Sequence, residues 1–294
     1  MKEDLRRLQT SFSPLAGSGQ PGRPQRRDNP EKKEWEALTS SVLAEINDQR
    51  YQKVVLARET QYEFPEPLNP VDLLKTLTKQ AEKCYPFLFQ FNKNETFLGV
   101  SPERLYHRLG NSIETEAIAG TRPCGNSETE RERLTKDLSE SQKDLGEHRF
   151  VVDWIVRQLK DVTKNFTADP EPSVLDLVSG IHLITRFSGE LRDGIPDAEL
   201  LQKLHPTPAV AGTPAEKALS VIREKETFNR GWYAAPVGYL SYDESEFVVA
   251  IRSGLLQKTT LRLFAGAGIV KESQPQAEWQ EIEQKLTAFL SALK

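Results

Sequence analysis

Short runs of β-branched and aromatic residues gather toward the two ends of this sequence, and the longer helical patterns lie between them. KVVLA (53–57), then PFLFQF, TFLGV and RLYHR (86–108), and the alternating stretch 112–118 form the first group. The second comprises 233–241, 246–252, 254–257 and 261–266, preceded by a strand-and-turn stretch at 183–194. Turn residues at Asn92 to Asn94 and at Ser101 and Pro102 separate neighbouring runs. Trp35, Leu38, Val42 and Ile46 recur at helical spacing, and further helices are predicted over 73–83, 130–162, 198–204, 214–224 and 276–293. This order predicts an α+β fold: a large, mostly antiparallel sheet with helices packed on its outer faces.

No repeat and no second compositional block divides the chain, so one domain is expected over 32–294. The stretch SFSPLAGSGQPGRPQRRDNP (11–30) is rich in Gly, Pro, Ser and Arg, and predicts a flexible arm over 1–31. Lys+Arg 39 against Asp+Glu 43 leaves a net charge of -4, which gives no global attraction to nucleic acid or an anionic membrane. No apolar run approaches the ~20 residues a membrane helix needs, and the start lacks the apolar core of a secretory signal. Cys84 and Cys124 allow at most one bridge, and a chain of this length builds a core without one. A reduced, cytoplasmic setting is expected.

Several residues have the chemistry of a site. The helix predicted over 130–162 puts Glu140, Asp144 and Glu147 on one stripe, where like charges repel. Glu147 then leads into Val151, Ile155 and Leu159, in line with the buried face. In the last helix Trp279, Ile282, Leu286 and Phe289 form a buried face flanked by Glu278, Glu281 and Lys285. Two helices that each hold carboxylates beside a buried face suit a hard divalent cation such as Mg²⁺. Two solvated faces with an ordinary Glu281–Lys285 ion pair account for the same pattern. Lys53 shares a strand face with Val55 and Ala57; such a lysine either serves as a base or snorkels to water from an edge. Glu103 follows the Ser101–Pro102 turn and faces either a cleft or solvent. Ala265 to Gly268 (AGAG) follows a strand and lets backbone amides approach an anion, with Arg252 near enough in sequence to share it. His182 reads as a packed histidine, and His205 in HPTPAVAG as a turn residue.

In this order the segments KVVLAR, SPERLY, AIAGTRP, KDLGEHRFVVD, HPTPAVAG, RGWYAAPVGY, AIRSG and FAGAGIV…EW…E…K resemble the chorismate-utilising enzymes, over about residues 32–294. Within them the chain is similar to the isochorismate synthases of menaquinone, phylloquinone and siderophore pathways. The resemblance implies Lys53 as the base that activates water toward C2 of chorismate. It implies Glu103 as the acid that protonates the departing C4 hydroxyl. Glu147 and Glu281 match Mg²⁺ ligands, with Asp144 and Glu278 beside them. Arg252 and Lys285 match groups that hold substrate carboxylates, aided by backbone at Gly266. Gly120 and Thr121 match a substrate loop, His182 a pocket histidine, and Tyr233 a pocket wall.

A lysine at this position points to water as nucleophile, where the ammonia-using anthranilate and aminodeoxychorismate synthases usually carry another residue. Salicylate synthases share the lysine and go on to eliminate pyruvate. Ala235 replaces a frequent glycine, and Cys124 stands where arginine is common. Relatives usually have roughly a hundred further residues before the helix at Trp35, and a sheet without them exposes an edge. A monomer is expected, or a chain completed by a partner that supplies those strands. The competing expectation is a non-catalytic remnant that binds a partner.

Overall fold

The computed structural model describes residues 24–293 except 124, 126, 178 and 179. Two seven-stranded sheets form the body. The first runs β1 (Gln25–Asn29), β2 (Lys53–Glu63), β14 (Thr260–Ile269), β13 (Ser253–Gln257), β4 (Glu95–Ser101), β3 (Tyr85–Asn92), with the two-residue β10 (Gly212–Thr213) also on β2. The second runs β11 (Pro236–Leu240), β12 (Glu244–Val249), β5 (Arg104–Leu109), β6 (Ser112–Arg122), β9 (Gly180–Leu191), β7 (Thr163–Ala168), with β8 (Ser173–Leu177) also on β9. Every described pairing is antiparallel. The α+β expectation holds, with the one sheet expected resolved into two.

The helices are α1 (Lys32–Asn47), α2 (Pro70–Lys79), α3 (Glu128–Glu140), α4 (Gln142–Val162), α5 (Asp197–Leu204), α6 (Ala215–Lys225) and α7 (Pro275–Ser291). α1, α2 and α7 cover the first sheet, where Trp35, Val42, Leu56, Leu98, Leu263 and Ile282 form one core. α4 lies against the second: Val151, Ile155, Leu159 and Val162 recur every three to four residues and pack with Tyr106 and Phe187. Each fully buried side chain of this size contributes roughly 1.5–3 kcal/mol. None of the described helices is long and apolar enough to cross a membrane.

The chain passes between the sheets at two neighbouring points. After β4 it turns at Pro102 and Glu103 into β5, and after β12 it turns at Ala250 to Arg252 into β13. The two crossings are bonded to each other: Val249 N–H donates to Glu103 O (3.0 Å), Val100 N–H to Arg252 O (3.1 Å), and Ser101 Oγ to Val249 O (2.6 Å). Arg252 takes φ 51, a left-handed conformation uncommon for a side chain of this size.

Three details differ from the sequence reading. The single helix expected over 130–162 is two, because Ser141 (φ -70, ψ 113) leaves the helical region and its hydroxyl caps Asp144 N–H (3.3 Å). Glu140 therefore ends α3, while Asp144 and Glu147 belong to α4. Residues 25–29, expected in the flexible arm, are β1, paired with β2 from Asn29↔Glu59 to Gln25↔Glu63; residues 1–23 of that arm lie outside the described residues, as does Cys124. β7 (TKNFTA) is largely polar, and β8 (SVLDL), though Leu175 and Leu177 are buried, is only five residues long, so neither is read from sequence.

Candidate active site

Lys53 opens β2 with no solvent exposure, so it is not an edge lysine snorkelling to water. Its Nζ lies 2.9 Å from Glu147 Oε1 on α4, yet off the line of a hydrogen bond. Room for both side chains comes from Gly268 on β14: a Cβ there would collide with Glu147 Oε1 and come within 2.8 Å of Lys53 Cε. The AGAG run, expected after a strand, lies inside β14, paired with β2, and what Gly268 supplies there is space. Gly268 went unassigned in the sequence reading, where only its flexibility was visible.

Glu103 sits in the first crossing, 3% exposed. Burial, then the neighbouring Glu116 carboxylate, push its carboxyl up to about 8, against the pull of Lys53 and Arg252. Arg252, in the second crossing, is 9% exposed, and its Nε has no partner among the described residues. Tyr233 stacks on Phe264 (5.6 Å, 24°), and burial pushes its phenol up to about 12. A Cβ at Gly266 would stand 3.0 Å from the Tyr233 hydroxyl, so that glycine keeps the wall clear.

A third corner comes from β6 and β9. The register slips between Ala119 and Thr121, and Gly120 takes φ 75 beside Asp144. His182 Nδ1 faces Gly120 O (3.2 Å) and Thr121 Oγ1 (3.1 Å). Burial, with Arg252 and Lys285 nearby, lowers the imidazole to about 3, so it is neutral. Nδ1 faces a carbonyl and must carry the proton, which leaves Nε2 a buried acceptor without a partner. His205 instead joins the Ala234 carbonyl (2.8 Å).

The four acidic candidates each meet their own cation. Glu147 meets Lys53, Asp144 meets Arg122 (2.8 Å), Glu278 meets Lys143 (2.8 Å) and Glu281 meets Lys285 (2.5 Å). Lys285 also donates to Gly266 O (2.8 Å). Burial and Glu281 raise the Glu278 carboxyl. Burial also acts on Glu281, but Lys285, Lys143 and Arg252 outweigh it and hold Glu281 low. Lys143 is drawn down by burial and carried above its ordinary value by Glu278, its ion-pair partner at 2.8 Å, with smaller contributions from Glu281 and Glu147. Among the described residues no three carboxylate, imidazole or thiol groups form a ready metal cage. Mg²⁺ does not require one: it binds through one or two carboxylates and completes its shell with water and substrate oxygen. Glu147 on α4 and Glu281 on α7 carry oxygen donors of the kind that ion takes.

Lys53 is thus buried against Glu147, and Glu103 and Arg252 lie in the two neighbouring sheet crossings; the comparisons give the chain a family. A family model described as chorismate binding enzyme matches residues 1–294. This chain belongs to the chorismate-binding enzymes. It is 40% identical over 264 residues to isochorismate synthase MenF of Bacillus subtilis, a match covering 90% of this chain and 56% of that protein. The chain thus spans little more than half the length of that relative. The solved structure of MenF, the menaquinone-specific isochorismate synthase from Escherichia coli, superposes with TM-score 0.89 at 34% identity, over 99% of this chain and 68% of that one. Anthranilate synthase component I from Streptococcus pneumoniae, 24% identical, shares the fold with TM-score 0.84.

Proposed function

We propose that this member of the chorismate-binding enzymes converts chorismate to isochorismate in a Mg²⁺-dependent isomerisation. The observation that carries this reading is a buried lysine at the start of β2 and a buried carboxyl, raised to about 8, in the crossing from β4 to β5. Arg252 and Lys285 offset the two substrate carboxylates, Gly120, Thr121 and Gly266 offer backbone, and His182 and Tyr233 line the ring. Lys53, as the free amine, accepts a proton from water as the water oxygen bonds to C2. The ring double bonds shift, the C4–O bond breaks, and Glu103 delivers its proton to the departing hydroxyl, which leaves as water. Composition is unchanged, and solvent returns both side chains to their starting protonation. Glu147 and Glu281 would hold Mg²⁺, with Asp144 and Glu278 beside them; when bound it supplies charge neutralisation at a substrate carboxylate.

The chain acts as a monomer in this reading. The outer edge of β3, unpaired among the described residues, is where a partner's strands would add. Incubation of the purified protein with chorismate and Mg²⁺, followed by chromatography, tests the reaction. Isochorismate is the expected product. Salicylate with pyruvate would move the chain to the lyases, and no product from folded protein would favour a binding role.

A further inference from the structure

β2 has a gap along one side. Residues 59–63 pair with β1, residues 53 and 54 pair with β10, and Val55 N–H reaches Ala211 O (2.8 Å). Between these strands Val55 O and Ala57 N–H face a stretch with no strand among the described residues, although Val55 and Ala57 are buried. Unsatisfied backbone groups there would be costly. Two side chains take the strand's place. Glu226 Oε1, just after α6, accepts from Ala57 N–H (2.8 Å), and Arg230 Nη2 donates to Val55 O (2.8 Å). The two lock together through Arg230 Nε to Glu226 Oε2 (2.7 Å) and Nη2 to Oε1 (2.5 Å), with side chains only 17% and 3% exposed for Arg230 and Glu226.

The pair reaches further. Arg230 Nη1 donates to Val210 O (3.1 Å), and Val210 N–H donates to Thr207 O (3.1 Å) in the same loop. Arg230 O accepts from Tyr233 N–H (2.9 Å), and its guanidinium carbon lies 5.8 Å from the Tyr233 ring centroid. One ion pair therefore ties the strand of Lys53, the 207–211 loop and the Tyr233 turn.

We propose that Glu226 and Arg230 are positioning residues: a side-chain substitute for a missing strand that sets Lys53 against the opposite wall of the site. This rests on the isomerase reading above. Neither residue touches the reacting atoms, so their loss shows in turnover more than in substrate affinity. The test compares Arg230→Gln, Glu226→Ala and Glu226→Gln in the full chain, with kcat and KM for chorismate and amide hydrogen exchange along β2. Arg230→Gln and Glu226→Ala are expected to lose about 100-fold in kcat, with KM changed by less than about threefold, the scale of misplacing a catalytic group by an ångström. Glu226→Gln keeps an oxygen for Ala57 N–H and is expected to recover part of the loss. The Ala57 amide should exchange faster in Glu226→Ala but not in Glu226→Gln, while amides of β2 paired to β14 keep their protection. Unchanged kcat in an active background, a loss confined to KM, or faster exchange throughout β2 and β14 would overturn the proposal. An inactive wild type would instead strike the isomerase reading, and unchanged Ala57 exchange in Glu226→Ala would still refute the pair.

Discussion

Glu103 shows how a single residue takes its chemistry from where the chain puts it. Its carboxyl is held near 8 by burial and by Glu116, so it keeps a proton at neutral pH. As an acid it works only when protonated; kcat/KM for chorismate should therefore fall as pH rises through about 8. Glu103→Gln should cost about 10²–10⁴-fold in kcat and remove that limb of the profile; a limb that survives the substitution would assign it to another group. Stability carries the same sign. The folded value lies above the unfolded one, so the group favours folding most at low pH and loses that contribution as pH climbs from about 4 to about 8. Urea midpoints of wild type and Glu103→Gln should diverge across that window, with the wild type falling. Gly268→Ala puts a methyl against Glu147 and Lys53; activity should drop at least tenfold, roughly the scale of a small misplacement. Lys53 was legible as a lysine among apolar neighbours, but its partner was not, since Glu147 lies on another element and only the fold joins them.

Among the elements, β1 and α7 are joined by charges that no local pattern reveals. Arg58 on β2 is fully buried, lies 3.9 Å from the Trp279 ring centroid and bonds Glu283 Oε1 (2.6 Å). Arg26 on β1 bonds the same carboxylate, and Asp28 lies 3.6 Å from Arg58. Glu283→Ala would remove the carboxylate hydrogen-bonded to Arg58 while Asp28 stays 3.6 Å away. A loss of about 1.5–3 kcal/mol in unfolding free energy is expected, the scale of a hydrogen bond to a charged group; an unchanged urea midpoint would contradict the assignment. Elements with strong periodicity were readable: α4 and α7 from their apolar spacing, and β3, β4 and β5 from aromatic and β-branched runs. β1 was missed because QRRDN has no apolar signature and exists as a strand only through β2 and Glu283. The break at Ser141 was missed because apolar periodicity alone does not distinguish one long helix from two joined at a cap.

At the scale of the whole molecule, the site lies where two sheets exchange strands, so its walls come from residues some 230 positions apart, Lys53 to Lys285. Resemblance supplies a list of candidate residues; that Glu103 and Arg252 fall in adjacent crossings is not readable from it, because the sequence predicts one sheet where there are two. The paired carboxylates predict a metal requirement. Removal of Mg²⁺ with a chelator should abolish turnover while leaving the thermal midpoint nearly unchanged, because each acid already lies against a basic side chain of the protein; full turnover without added metal would contradict it. The central claim is that water, activated at Lys53, enters at C2. Its most direct test is turnover of chorismate in water enriched in the heavy oxygen isotope, read by mass spectrometry of the product. The account predicts isochorismate with one heavy oxygen at C2 from the wild type and no product from Lys53→Ala. Isochorismate carrying only its original oxygen, or labelled product formed equally well by Lys53→Ala, would contradict it.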